Sequence, residues 1–159
     1  MTRRVKVFLK CEQGTQMIEF AFLLPFLILL FAGAVEMGRM FYTYTTLQKS
    51  TEVGARYLST MLVQTDGTYV TTDTTAAKNL VVYGRTDCTS GCSTPIANSL
   101  STSNVAITPP GTSTGTRYVT VTVTYPYKPL VFDLGSMTGS QQLSLNFTFT
   151  PSITMRYMP

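Results

Sequence analysis

The stretch "GTQMIEFAFLLPFLILLFAGAVE", residues 14–36, decides the fold because it is long and apolar enough to cross a bilayer. From Met17 to Met37 every residue is apolar or glycine, apart from Glu19, Pro25 and Glu36. As a helix, this run spans about 30 Å, the thickness of the hydrocarbon core. The apolar part of a secretory signal peptide would be shorter and would end at a small-residue cleavage site. We therefore predict one transmembrane helix over residues 15–37.

The excess positive charge of the chain precedes this stretch. Four basic residues and one glutamate in the first 14 residues carry +3 of the total net charge of +4. Such a leader, residues 1–14, stays on the cytoplasmic side, so the chain after residue 37 is expected across the membrane. A nucleic-acid-binding protein would instead gather Lys and Arg on its folded surface, so no nucleic-acid partner is expected.

The helical pattern continues beyond the apolar run. Apolar residues recur at spacings of three and four, interrupted only by Thr51, at Met37, Phe41, Tyr44, Leu47, Ala55, Leu58 and Leu62. We therefore predict one helix from Thr15 to about Leu62, in which residues 38–64 form an amphipathic continuation. The rest of the chain is expected to cover its apolar stripe.

Residues 65–159 are predicted to form an extracytoplasmic head. Polar turn residues end the long helix, and a short helix is expected over about residues 73–83. Asp73 or Thr74 is the predicted cap at its start, and Gly84 is placed to end it.

Strict alternation predicts the strands of the head. In "RYVTVTVTYPY", residues 117–127, the inward side chains would be Val119, Val121, Val123 and Tyr125. In "LSLNFTFT", residues 143–150, they would be Leu143, Leu145, Phe147 and Phe149. A weaker strand is predicted at 104–107, and "ITMRY", residues 153–157, is expected to extend the last strand beyond Pro151. Short connections favour an antiparallel sheet of three or four strands. A sheet with one apolar face, packed on the helix stripe, makes the fold class α+β.

Cys88 and Cys92 lie in "CTSGCS", a small loop that can bring the two sulfurs together in an oxidising compartment. A disulfide is the favoured interpretation. A metal site is the alternative, but the chain has no histidine to complete the coordination. We expect neither a metal nor a cofactor.

An enzyme is not expected either. The absence of histidine excludes a catalytic triad built on a histidine base. The remaining acidic residues are scattered without paired spacing, and no glycine-rich phosphate loop precedes a helix.

Glu19 is the costly residue of the apolar run, since a carboxylate at the bilayer centre costs on the order of 3 kcal/mol. One interpretation is an interfacial glutamate near the positive end of the helix dipole. The other depends on cleavage after Gly14. Thr15 would then carry a free amine that could pair with Glu19 of a neighbouring subunit, so that the cost is offset only in an assembly.

The residues around this glutamate resemble those of a known family. "EQGTQMIEFAFLLP", residues 12–25, resembles a type IV prepilin signal: a basic leader ending in glycine, a glutamate at the fifth mature position, then a hydrophobic stretch. "VEMGRMFYTYTTLQKSTEVGARYLST", residues 35–60, resembles the long-helix signature of the TadE-like family. These are minor pilins or pseudopilins of the bacterial tight-adherence (Tad, Flp-type) pilus. "VTVTYPYKPL" and "ITMRY" also resemble that family's C-terminal strands.

The resemblance implies cleavage after Gly14 by a prepilin peptidase, which makes Gly14 and Thr15 the processing site. It implies single-pass insertion in the bacterial inner membrane, with a cytoplasmic N-terminus and a periplasmic head, or incorporation into an extracellular pilus. The implied partners are other pilins and pseudopilins through the N-terminal helix, the inner-membrane assembly machinery and the lipid bilayer. Phe20, where a major pilin commonly has Tyr, fits a TadE-like protein; Thr15 departs from the usual hydrophobic first residue.

Further helix residues have predicted roles. Pro25 removes a backbone donor and kinks or unwinds the helix, either to help it pack in a fibre or as a tolerated transmembrane proline. Glu36 and Arg39 are expected to pair at the outer membrane boundary and to mark the water interface. Gly38 and Gly54 allow close approach of another helix or of the head's sheet, and Arg56 is expected to be solvated.

Two other functions remain open from the sequence. The Thr-rich loops at 85–116 could form an adhesive tip that binds a surface, with the helix as its delivery handle. Alternatively, the chain could stay uncleaved as a membrane scaffold protein of the pilus machine.

Overall fold

The computed structural model describes residues 12–88, 92, 94–111, 117–130 and 146–158, with side chains from residue 16 onward. In this part of the chain a long N-terminal helix packs on a small antiparallel β-structure, which gives the predicted α+β, pilin-like arrangement. The first part of the strand predicted over residues 143–150, with Leu143 and Leu145, lies outside the described residues.

Helix α1, Glu12–Ser59, has 48 residues, a length of about 72 Å. Pro25 lies inside it without ending it. The side chains from Gln16 to Val35 are exposed, except for the half-buried Ala32. The helix ends at Ser59, three residues before the predicted end at Leu62. Just after it, Thr60 and Met61 donate their N–H groups to carbonyls three residues back and tighten the last turn.

Helix α2, Thr71–Tyr83, packs on α1. Gly84 ends it in the left-handed conformation, with φ 70°, and donates its N–H to the Leu80 carbonyl, as the sequence predicted. The cap at the N-terminus of α2 differs from the prediction, which was Asp73 or Thr74. The residue at the N-cap is Val70, which has no side-chain acceptor, and Asp73 lies in the first turn, where its charge favours the helix dipole.

Among the residues that the structure describes, five strands form two sheets instead of the single sheet predicted. The first has the order β1-β2-β5, built from β1 (Val105–Thr108), β2 (Tyr118–Val123) and β5 (Ser152–Arg156). The second pairs β3 (Tyr125–Tyr127) with β4 (Phe147–Phe149). Both sheets are antiparallel.

The division between the sheets falls at Thr124. Its N–H bonds to the Asn104 carbonyl, and the neighbouring Val123 N–H bonds to the Pro151 carbonyl. Pro151 has no N–H to return, so the ladder cannot continue through it from β5 to β4. Strands β2 and β3 therefore pair with different strands, although only Thr124 separates them in the chain.

The core lies between the three-stranded sheet and the upper half of α1. Val119, Val121 and Val123 are fully buried, and Tyr125 is also buried, as alternation predicted. They belong to one cluster with residues of both helices, which are Leu47, Ala55, Leu58, Ala77, Val81 and Val82. Thr51 does not interrupt this face, because it is buried and its hydroxyl donates to the Leu47 carbonyl at 2.7 Å.

The lower part of the predicted stripe is wrong. Met37 and Phe41 are 55% and 59% exposed, whereas the helix face toward the head carries Glu36, Met40 and Thr43. The two series are offset by one residue, which rotates the helix face by about 100°. Apolar periodicity indicates Met37 at this level because Glu36, the residue that faces the head, is charged.

Candidate functional site

A cluster of polar groups joins α1 to the head where the apolar run ends; we call Glu36, Arg39, Tyr127, Lys128 and Leu130 the Glu36 junction. Glu36 is only 2% exposed. Its Oε1 accepts hydrogen bonds from Arg39 Nη2 at 2.6 Å and from the Tyr127 hydroxyl. The Leu130 N–H also donates to it, at 3.3 Å. The predicted Glu36–Arg39 pair is therefore present, with its carboxylate buried against the head. Its position at the outer membrane boundary stays a prediction.

Arg39 also contacts the head, at the end of β3 and at the residue that follows it. Its Nη2 also donates to the Lys128 carbonyl at 2.8 Å, and its guanidinium lies over the Tyr127 ring, 5.0 Å from the centroid. A cation above an aromatic face is attracted by the ring quadrupole. Arg39 thus holds both the backbone and a side chain of the segment that follows β3.

The local structure explains why these groups meet. Alternation places Tyr125 and Tyr127 on the inner side of β3, with Pro126 outward. Helix periodicity places Glu36 and Arg39 one turn apart on the face toward that strand. Because a buried carboxylate without donors is strongly unfavourable, the donors from Arg39, Tyr127 and Leu130 make this contact specific for one position of the head on α1.

The Tyr127 hydroxyl titrates abnormally in this environment. Burial raises the pKa of Tyr127 to about 12, and the hydrogen bond that its hydroxyl donates to Glu36 acts in the same direction. Tyr127 is consequently protonated, and able to donate, over the whole physiological pH range. Its ring also packs against Phe147 and Phe149, with centroids 5.5 Å away in both cases.

The helix that carries this junction matches a known family. Residues 14–56 match the model of a family described as TadE-like protein. The similarity to the TadE-like family thus covers 43 of the 159 residues. That family is related to the Tad pilus and is not a family of enzymes. No curated protein and no solved structure matches the chain.

The TadE-like segment includes ten of the residues to which the sequence assigned roles, namely Gly14, Thr15, Glu19, Phe20, Pro25, Glu36, Gly38, Arg39, Gly54 and Arg56. It also contains the apolar helix, and one such N-terminal helix suggests a membrane anchor.

The structure separates the predicted assembly residues from the junction. Glu19 and Phe20 are exposed on the lower half of α1, about 26 Å below Glu36 along the helix axis. Gly14 and Thr15 lie in the helical backbone near the start of α1. The roles of these four residues in processing and assembly stay predictions.

The two glycines of the TadE-like segment differ. A Cβ added at Gly54 would overlap Val81 Cγ2, so Gly54 permits the close approach of α2. A Cβ added at Gly38 would meet nothing within 4 Å. The predicted close approach is thus present at Gly54. At Gly38 no described residue makes such an approach, and close packing of another helix there stays a prediction. Arg56 is exposed and pairs loosely with Glu52 at 3.7 Å.

Cys88 and Cys92 are joined by a disulfide, as the sequence predicted, with their Cα atoms 5.5 Å apart. The bridge lies beyond the end of α2, away from the junction in the chain.

Sequence analysis did not identify Tyr127, Lys128 and Leu130. One signal could have indicated Tyr127, because the alternation that placed Tyr125 inward also places the residue two positions later inward. The other two act through backbone groups, a carbonyl and an N–H, and no residue type indicates such a role.

Proposed function

We propose that this chain is a membrane-anchored minor pilin or pseudopilin that takes part in the assembly of a Tad-type pilus and so in surface adherence. The match of residues 14–56 to the TadE-like family carries the proposal. It is supported by the lower half of α1, which the head leaves uncovered and which therefore requires lipid or other helices around it.

The mechanism that we propose is assembly through α1. Prepilin peptidase would cleave after Gly14, and the free amine of Thr15 would pair with Glu19 of a neighbouring subunit. Glu19 is exposed in the single chain, so it is accessible to such a partner. In a bilayer an unpaired carboxylate is costly, and an intermolecular ion pair would offset that cost only in the assembled state.

The proposed topology places the basic leader in the cytoplasm and the head in the periplasm. The Cys88–Cys92 disulfide is consistent with this side of the membrane, since disulfides persist in oxidising compartments.

Substitution of Glu19 tests the assembly role. Strains that express Glu19→Ala should carry fewer pili by electron microscopy, at unchanged protein level by immunoblot. Glu52→Ala is the matched control, because Glu52 is an exposed glutamate of the same helix that lies above the apolar run. Normal pilus numbers in the Glu19→Ala strain would contradict the proposed mechanism.

Mass spectrometry of the membrane-extracted protein tests processing. An N-terminus at Thr15 would support cleavage after Gly14. An N-terminus at Met1 or Thr2 would contradict it and would favour the uncleaved scaffold protein.

A further inference from the structure

We propose that the lower end of the head contacts the outer surface of the lipid bilayer directly. We call this surface the head base and define it by the exposed residues Lys128, Leu130 and Phe147. The inference rests on the proposed function in one respect, which is that α1 anchors the chain in a membrane. It adds that the head is held against the lipid and does not project freely into the periplasm.

The first argument is the height of the head base along α1. The Leu130 N–H donates to Glu36 Oε1 at 3.3 Å, so Leu130 lies level with residue 36 of the helix. The apolar run ends one residue later, at Met37. If that run spans the hydrocarbon core, Leu130 lies at the boundary between acyl chains and headgroups.

The direction of β3 supports the same placement. At its upper end Tyr125 pairs with Phe149, whose ring contacts Tyr44 with centroids 5.4 Å apart. At its lower end Tyr127 pairs with Phe147 and bonds to Glu36. The strand therefore descends along α1 by about 7 Å, the length of two residue steps, and leads toward the membrane.

The chemistry of the head base fits a lipid interface. Leu130 is 76% exposed and Phe147 is 36% exposed, and both are apolar side chains that water solvates poorly. Phe41, on the adjacent part of α1, is exposed as well. Aromatic and apolar side chains at this depth are typical of proteins that lie in the interface.

Charge complementarity favours lipid over a protein partner. Lys128 is exposed, and its ammonium can reach lipid phosphates while its stem lies along apolar surface. Glu36, the nearby carboxylate, is buried and bonded to Arg39 and Tyr127, so it presents no negative charge to the headgroups. The head base is also continuous with the uncovered surface of the apolar helix, which is itself a lipid-facing surface under the proposed function.

The sequence contains no tryptophan, so a single introduced tryptophan reports on one position. The test uses the full chain in vesicles of phosphatidylcholine and phosphatidylglycerol that contain lipids brominated near the ester end of the acyl chain. Bromine quenches tryptophan fluorescence only at short range. Leu130→Trp probes the head base.

Two further variants make the result interpretable. Met158→Trp is the matched control. Met158 is an exposed apolar residue, 61% accessible, whose N–H bonds to the Ser59 carbonyl, about 34 Å above Glu36 along α1. Phe31→Trp, in the exposed part of the apolar run, reports whether the anchor has inserted.

We expect the brominated lipid to reduce the fluorescence of Leu130→Trp and Phe31→Trp and to leave that of Met158→Trp unchanged. Quenching of Phe31→Trp without quenching of Leu130→Trp would overturn the head-base proposal and leave the anchor intact. A blue-shifted but unquenched Leu130→Trp would overturn it in favour of a second copy of this chain at the same surface. Absence of quenching at Phe31→Trp would overturn the anchor, and the head-base proposal with it.

Discussion

The hydrogen bond between the Tyr127 hydroxyl and Glu36 is the contact whose removal tests the junction most directly. Tyr127→Phe deletes one hydroxyl and keeps the ring, which packs on Phe147 and Phe149 and lies beneath the Arg39 guanidinium. The variant therefore isolates the hydrogen bond from the packing. Glu36 would keep its bonds to Arg39 and to the Leu130 N–H.

The expected magnitude follows from the charge of the acceptor. A hydrogen bond to a charged group contributes about 1.5–3 kcal/mol, so we expect Tyr127→Phe to lower the free energy of unfolding by about 2 kcal/mol. Tyr125→Phe is the matched control, since the Tyr125 hydroxyl donates to a neutral carbonyl, that of Asn98, at 2.8 Å. Loss of a bond to a neutral acceptor is expected to cost about 1 kcal/mol.

The assay is equilibrium urea unfolding of the full chain in detergent micelles, monitored by near-ultraviolet circular dichroism. An unchanged dependence of the unfolding free energy on urea concentration would show that both variants expose the same surface area on unfolding. Glu36→Gln and the double variant complete a double-mutant cycle, in which we expect a coupling energy of about 1 kcal/mol. Equal losses in Tyr127→Phe and Tyr125→Phe, or a coupling energy within error of zero, would refute the importance assigned to the charged acceptor.

Two further predictions concern packing and ionisation. Gly54→Ala should lower the free energy of unfolding by about 1–3 kcal/mol, because its Cβ would overlap Val81; Gly38→Ala, which has open space, should raise it by up to about 1 kcal/mol. A destabilised Gly38→Ala would contradict this difference. Alkaline pH should destabilise the head, since burial raises the pKa of both Tyr69 and Tyr127 to about 12 in the folded chain. Because the ordinary tyrosine pKa is about 10, this contribution is complete below about pH 10 and is lost as pH rises toward 12. Urea midpoints measured across this range should fall less steeply in Tyr69→Phe than in the unsubstituted chain, and identical slopes would disprove the assignment.

The outward hydroxyls of the head show what strand alternation alone can predict. Thr120 and Thr122 were placed outward by the pattern and do point away from the core, where they pair with Thr154 and Ser152 at 2.9 and 3.0 Å. The pattern assigns each residue to a face of the sheet but does not identify the adjacent strand, because every strand of this composition presents the same hydroxyl groups. The order β1-β2-β5 depends instead on which strands the connections bring together.

The candidate site divides in the same way. Residues whose role depends on local chemistry, such as the apolar run, the cysteines and the Gly84 cap, were identified in the sequence because their physical reason lies within a few residues. Glu36 was also identified, but its environment was not. Its principal partners outside α1 lie 91 and 94 residues away in sequence.

The sequence by itself thus determined a membrane-length helix, its extension beyond the apolar run, the buried face of β2 and the disulfide, since hydropathy, periodicity and thiol spacing are local properties. Only the tertiary structure decided which face of the helix meets the head, where one sheet gives way to two, and that Glu36 is buried among donors. Those outcomes depend on how the elements pack. A charged residue is stable in a packed interface only when other groups satisfy its hydrogen bonds. For Glu36 these groups are distant in sequence, so no local pattern predicts them.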